Sequence, residues 1–570
     1  MVIYMFCGCF LTEQRRFIFI KIYVMILGSV FGGGKEGRTM ENRNDRRKLP
    51  IGIQSFEKLR KGQFLYIDKT EYIYKLVHAG APYFLSRPRR FGKSLFLSTL
   101  RAYFEGKKDL FEGLAVEALE RDNPDAWQEY PVFYFDFNKK NFRRTMALEE
   151  VLDGHLREWE SVYGDEKQDY SLEARFQWLL VKANEVTGKQ AVVLVDEYDK
   201  PLLEAVTDDT LEEHNKAVFK GFFSTLKSYD EYLKFVLLTG VTKFSKVSIF
   251  SDLNHLMDIS IDERYAGICG ITEAEMKAEL MPEIEALAGR QKLTIDECLA
   301  ELKRNYDGYH FYPDTDGIYN PFSLLNALDK REFGAYWFAT GTPTFLIRRL
   351  EQTGYDAKMF TNGKLFADGA MLSDYRAENP NPIPLFYQTG YLTIVDYDRR
   401  RMRYTLGYPN EEVKYGFMTS IAPYYLHAED HDPESAGTDI FAIDDAVEEG
   451  DLDRLRDILT ALFARLPYGT DESYVERDFQ NVIYIVFMLL GKYVRTEIHS
   501  AKGRADCIVE TADYVYIFEF KRDAAADEAL AQIEEKGYAV PYLADGRTVY
   551  RIGAVFDSAE RTLSEWKVLC

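Results

Sequence analysis

The chain has 570 residues, 46% hydrophobic and 29% charged, which exceeds what one hydrophobic core serves and points to roughly three domains of about 100 to 250 residues each. A formal net charge of -21 excludes a surface that grips phosphate backbones over its whole extent, because such binding needs clustered Lys and Arg, so any nucleic-acid contact is local. Cys7, Cys9, Cys269, Cys298, Cys507 and Cys570 include no C-x-x-C pair, which excludes a zinc ribbon, argues against a disulfide framework and suits a reducing cytoplasm.

Residues 1–48 are expected to be an N-terminal extension outside the folded body, either disordered or absent from the natural product. Its run "RRFIFIKIYVMILGSVFGGG" is interrupted by Lys21 and is short for a bilayer span, nearer the length of a signal-peptide core. Translation from Met40, where "MENRNDRRKLPIG" reads as a soluble start, is the favoured expectation; no membrane contact is expected unless the apolar run is real.

Residues 49–260 alternate short apolar runs with helical patterns, as a parallel sheet covered by helices does. "APYFLS", "PVFYFDF", "QAVVLVDEYD" and "LKFVLLTG" read as strands and "SLFLSTLRAYFEG" as a helix. Between the first strand and that helix stands "SRPRRFGKS". A phosphate loop reads G-x-x-x-x-G-K-[ST], and Gly92, Lys93 and Ser94 fit it, while Arg87 occupies the first glycine's position. In such a loop, backbone N–H groups and a helix start cradle phosphate, Lys93 supplies a point charge and Ser94 is placed to hold Mg2+. Arg87, Arg89 and Arg90 add positive charge nearby. The apolar strand ending in Asp196 and Glu197 supplies the second element: an aspartate for the Mg2+ shell and a glutamate to orient or deprotonate water. Thr239, ending a third strand, is expected to sense the outer phosphate. ATP and Mg2+ are the expected cofactors.

Residues 261–450 turn mainly helical, with runs such as "EAEMKAELMPEIEALAG" and turn clusters such as "NYDGYHFYPDTDG", and offer no chemistry of their own. Residues 451–570 read as an α+β domain, in which the helix "YVERDFQNVIYIVFMLLGKY" precedes strands "VRTEIHS", "ADCIVET" and "YVYIFEFKR" and the helix "AADEALAQIEEKGYA". Glu519 and Lys521 lie two apart on one strand and so share a face. Asp506 lies on the preceding strand, where a hairpin brings it beside Glu519, and Glu476 on the leading helix offers another carboxylate. Such a cluster can hold Mg2+ and activate a water, with Lys521 orienting the nucleophile. An ordinary Glu519–Lys521 salt bridge is the bland alternative.

Together, "LPIGIQSFEKLR", "YIDKT", "FLSRPRRFGKSLFLSTL", "VVLVDEYDKPL", "NYDGYHF" and "YNPFSLLNAL" resemble the bacterial AAA-ATPase-like family, whose members often carry a C-terminal PD-(D/E)XK nuclease-like domain. The resemblance implies that arginine at position 87 is a family feature. The D-x12-E-x-K spacing of Asp506, Glu519 and Lys521 resembles the PD-(D/E)XK pattern, with Ala505 where its proline usually stands, and Gln532 and Tyr538 resemble its accessory helix. The expected fold is therefore an α/β P-loop NTPase sheet, a helical middle region and a C-terminal α+β nuclease-like domain. The expected function is an ATPase coupled to a metal-dependent nuclease acting on nucleic acid, DNA rather than RNA, with homo-oligomerisation open. The competing reading is a nucleotide-dependent switch or assembly protein whose nuclease-like domain is a non-catalytic platform.

Overall fold

A computed structural model describes residues 47–80, 82–205, 208–243, 256–338, 346, 350, 365–373, 381–425, 433–464, 482–483, 485–491, 495–498, 506–544, 546–560 and 562–570. Within Leu49–Cys570, the strands β1 (Tyr83–Ser86), β2 (Val132–Asp136), β3 (Ala191–Asp196), β4 (Leu233–Gly240) and β5 (Met257–Asp258) form one sheet in the order β2-β3-β4-β1-β5. All its pairings are parallel. β3 is buried along its whole length, which is why its sequence is continuously apolar until Asp196. The helix Lys93–Phe104 follows β1 directly and buries Phe96, Leu97, Leu100 and Phe104, a helical spacing that turns one face to the core.

The middle region is mainly helical, as its periodicity predicts, but carries two small sheets. β6 (Ile271–Thr272) pairs with β7 (Ile318–Tyr319), while β8 (Leu365–Ala367), β9 (Thr393–Asp398) and β10 (Arg403–Gly407) form an antiparallel sheet. The run "EAEMKAELMPEIEALAG" is two helices, Glu273–Glu279 and Met281–Gln291, the second opening with proline in its first turn, where a missing N–H costs nothing. These helices, with Ile295–Tyr306 and Pro321–Lys330, bury their own apolar cluster around Leu280, Leu287, Leu302 and Leu324.

The C-terminal part is a mixed sheet of β11 (Arg495–Ile498), β12 (Cys507–Glu510), β13 (Tyr514–Arg522), β14 (Thr548–Asp557) and β15 (Thr562–Leu569), in sequence order. The helix Ala526–Lys536 connects β13 to its parallel neighbour β14, so it is a crossover helix and two further strands follow it. One face of β13, with Val515 and Ile517, packs under this helix. The other, with Tyr516 and Phe518, joins the main apolar core. The helices Pro433–Glu449 and Leu452–Ala464 belong to this second face: the Tyr516 hydroxyl donates to the Val447 carbonyl at 2.6 Å, and Phe463 lies 5.8 Å from Phe556. Among the described residues no helix is long and apolar enough to cross a membrane.

Candidate functional site

The first cluster lies at the carboxyl ends of β1, β3 and β4, where parallel sheets place ligands. Because β4 lies between β1 and β3, its Thr239 stands beside the acidic strand end. The Thr239 hydroxyl donates to Asp196 Oδ1 at 3.0 Å, and the Tyr134 hydroxyl of β2 lies 3.4 Å from Oδ2. Asp196 is buried, and this desolvation pushes its carboxyl above the usual aspartate range. The charge of Glu197 adds to the shift, while Ser94, Lys93 and Thr239 oppose it. Glu197 is half-buried, takes a left-handed backbone with φ 51°, and its carboxylate has no hydrogen-bond partner among the described residues.

The loop before the helix is built to leave donors open. Gly92 has φ 95°, a conformation that favours glycine, and caps the helix with no side-chain bond. The N–H groups of Arg89, Arg90, Gly92, Lys93 and Ser94 meet no acceptor among the described residues. Lys93 is buried, and its ammonium donates to the carbonyls of Arg87 at 2.9 Å and Pro88 at 3.0 Å. The donor set suits a phosphate chain, and the desolvated Asp196 beside Ser94 suits a cation next to it.

The three arginines part company. Arg87, expected among the nucleotide-binding residues, is 1% exposed, and its guanidinium donates to the carbonyls of Ser86, Ser260 and Tyr265 at 2.8, 2.8 and 3.0 Å while lying 4.0 Å from the Phe311 ring. It holds the segment after β5 through these carbonyls, while its buried Nε meets no acceptor among the described residues. Arg89 and Arg90 are exposed; Arg90 stacks over Phe322 at 4.8 Å. Asp199 carried no expectation, although the second aspartate of "DEYD" was its visible signal. It is buried and accepts from the Val241 N–H, the Thr242 N–H and the Thr242 hydroxyl at 3.0, 2.6 and 2.7 Å, tying the end of β4 to β3. A cleft on the β5 side, lined by Arg87, Lys243, Asp258 and Tyr387 among others, is lined by none of Lys93, Ser94 or Asp196.

The second cluster sits on β13. The pairing Cys507↔Phe518 puts Asp506 across from Glu519, as a hairpin reading of the sequence requires. Glu519 is 2% exposed; its Oε1 accepts from Lys521 at 3.0 Å and from the Gln532 amide, while its buried Oε2 has no hydrogen-bond partner among the described residues. Gln532 Oε1 also accepts from Lys521 at 2.6 Å. The Glu519–Lys521 bridge therefore exists, yet it engages only Oε1 of the carboxylate. Burial, reinforced by Asp506, pushes the Glu519 carboxyl above its usual range. Asp506 Oδ2 accepts the Phe520 N–H at 2.9 Å.

Tyr538 has no hydrogen bond to this group: its buried hydroxyl has no partner among the described residues, and its ring packs against the apolar cluster that includes Ile508, Val515 and Ile533. Glu476 lies outside the described residues. Among those residues no group of three or more His, Cys, Asp or Glu side chains gathers to hold a metal. A pair of carboxylates still suits Mg2+, which usually takes one or two and keeps several waters.

A parallel sheet with a loop-to-helix cradle, joined to a mixed sheet carrying paired carboxylates and a lysine, defines a P-loop-like α/β protein with a nuclease-like C-terminal domain. The chain belongs to the predicted AAA-ATPase family, whose model matches residues 50–250, and the PD-(D/E)XK nuclease superfamily model matches residues 474–566. A protein of Azotobacter chroococcum mcd 1, described as the uncharacterized protein in the vnfD 5′ region, is 37% identical over 529 residues, covering 91% of this chain and 98% of its own. No solved structure matches the chain.

Proposed function

We propose that the protein binds and hydrolyses ATP at the first cluster and cleaves nucleic acid, DNA in preference to RNA, at the second. One observation carries this reading: Asp196 and Glu519 are both desolvated carboxylates with raised pKa, a cost that a divalent cation at each cluster would offset. Lys93 would leave the Arg87 and Pro88 carbonyls for the outer phosphates. Ser94 and Asp196 would hold the cation, Thr239 would fix Asp196, and Glu197 would orient the attacking water. At the second cluster Asp506 and Glu519, with Glu476, would hold the metal, Lys521 would orient the nucleophile, and Gln532 would keep Lys521 and Glu519 in register. A bound Mg2+ supplies charge stabilisation at the phosphoryl or phosphodiester oxygens and acidifies a water. Arg89 and Arg90, being exposed, are the residues that could serve a neighbouring copy in a homo-oligomer. A cytoplasmic setting fits the absence of C-x-x-C pairs.

A second reading, a nucleotide-dependent switch or assembly protein with a non-catalytic platform, is favoured by the net charge of -21 and by the hydrogen bonds that Lys521 already makes to Glu519 and Gln532. The test is a nuclease assay with Mg2+ or Mn2+ in the presence of ATP, ADP or no nucleotide. Cleavage lost in Asp506→Ala, and ATP hydrolysis lost in Lys93→Ala, are the expected results. Intact DNA and RNA under every condition would leave the platform reading, and hydrolysis insensitive to Lys93→Ala would sink both.

A further inference from the structure

The motif Asn305–Phe311 and the segment around Trp337 have no part in the chemistry above, yet both grip the phosphate loop. Tyr309 and Phe311 meet the Phe91 ring edge-on at 4.7 and 5.5 Å. Trp337 donates its indole N–H to the Arg89 carbonyl at 3.3 Å. Both attachments lead to one element, the helix Glu411–Tyr425. Glu412 accepts the Trp337 backbone N–H at 2.7 Å. Just before the helix, the Asn410 side chain donates to the Asp307 carbonyl at 2.7 Å. Gly308, at φ 90°, makes room for the Pro409 carbonyl, which would stand 2.0 Å from any Cβ at that position.

The same helix reaches the second cluster. Tyr415, three residues after Glu412 and so on the same face, donates its hydroxyl to the Gly491 carbonyl at 2.9 Å. Gly491 closes a helical segment in which Phe487 lies 5.0 Å from Phe518 and 6.1 Å from Phe520, the residues on either side of Glu519. Phe520 in turn donates its N–H to Asp506. A chain of direct contacts thus runs from the phosphate-loop backbone to the backbone that carries both carboxylates.

Resting on the nucleotide-binding reading above, we propose that Trp337, Glu412 and Tyr415 are positioning residues through which the occupant of the phosphate loop sets the geometry of Asp506 and Glu519. When phosphate takes the open N–H groups and Lys93 leaves the Arg87 and Pro88 carbonyls, the Arg89 carbonyl and the Phe91 ring move with the loop. These are the two points at which the loop is held by the segments packed on the start of the helix, where Glu412 and Tyr415 stand about one turn apart and the helix's own hydrogen bonds fix their spacing. The coupling is a free energy between two sites and is measured as such.

The experiment uses the full chain and a non-hydrolysable ATP analogue with Mg2+, reading hydrogen–deuterium exchange with and without the analogue. In the parent, protection is expected at 87–96, at 411–425 and at 485–491 with 514–522. Tyr415→Phe, which deletes one hydroxyl, should bind the analogue within about two-fold of the parent and keep the protection at 411–425 while losing it at 485–491 and 514–522. Trp337→Phe removes one of the two attachments at the other end; it should bind the analogue about five-fold more weakly, the worth of one hydrogen bond, and show reduced distal protection at saturation, because the Phe91–Tyr309 attachment remains. Melting curves confirm that each variant is folded. Distal protection that is undiminished in both variants, or never arises although the loop and helix respond, overturns the coupling. No protection anywhere in the parent overturns the nucleotide reading itself. Nuclease activity is not used, so an inactive second cluster leaves the result interpretable.

Discussion

At the scale of single residues, burial decides what the charged groups do. Arg87 occupies a phosphate-loop position yet spends its guanidinium on main-chain carbonyls and the Phe311 face. Burial pulls its pKa down from the usual arginine range, so these contacts offset a real desolvation cost. Arg87→Ala is expected to lower stability by on the order of 3 kcal/mol or more, since hydrogen bonds to a charged group contribute about 1.5 to 3 kcal/mol each. Arg87→Lys should rescue little, because a point ammonium cannot fork to separate carbonyls and stack. Urea unfolding measures this; a fully stable variant that loses nucleotide would return Arg87 to phosphate binding. Glu412 shows the opposite sign of charge under the same constraint. Burial pushes its carboxyl up to about 7 from 4.5, against the Trp337 N–H bond that favours the charged form. Between those values the folded state holds a proton that the unfolded chain has released. This group's contribution is therefore greatest below the unfolded value and falls as pH rises toward about 7, by on the order of 3 kcal/mol. Glu412→Gln should remove that decline, which unfolding curves at about pH 5 and about pH 8 would reveal; an unchanged slope would sink the assignment.

At the scale of elements, the hairpin of β12 and β13 sets the second cluster. A period of two places Val515, Ile517, Glu519 and Lys521 on one face, and the register brings Asp506 to Glu519. Mn2+ at about 100 times its dissociation constant is expected to stabilise the parent by about 2.7 kcal/mol. Asp506→Ala and Glu519→Gln should abolish the shift, whereas Asp196→Asn should retain it without nucleotide. Because the Glu519 carboxyl titrates above its usual range, the cation must displace a proton at the acid end. The metal-dependent shift should therefore grow as pH rises through and above the ordinary glutamate range. A shift equal in all variants would place the cation elsewhere.

At the scale of the molecule, one apolar cluster includes Phe56, Leu194, Phe417, Phe463 and Phe556. The polar contacts Tyr415–Gly491 and Tyr516–Val447 bind the C-terminal sheet to the helices before it. Elements sharing a core lose their packing together, so calorimetry of the full chain should give a single unfolding transition. A chain cut after residue 464 should be insoluble, because it uncovers Phe463 and the Val447 turn. Two resolved transitions, or a soluble truncated chain, would show that the C-terminal sheet folds on its own.

Local pattern alone determined four of the five strands of the first sheet, all but the two-residue β5, together with the loop-to-helix junction at Gly92–Lys93–Ser94, the acidic end of β3 and the shared face of Glu519 and Lys521, because strand period, apolar runs and backbone rules act between near neighbours. Tertiary structure decided the rest. The pairing of β13 with β14 across a crossover helix and the placing of β4 between β1 and β3 rest on contacts between distant residues. So do the turning of Arg87 toward Ser260 and Tyr265, the exclusion of Tyr538 from the carboxylate group and the tie from Asp199 to Thr242. A side chain's role follows from which acceptors and how much water surround it, and in this chain those surroundings are assembled from segments well apart in sequence, from 43 residues between Asp199 and Thr242 to 178 between Arg87 and Tyr265.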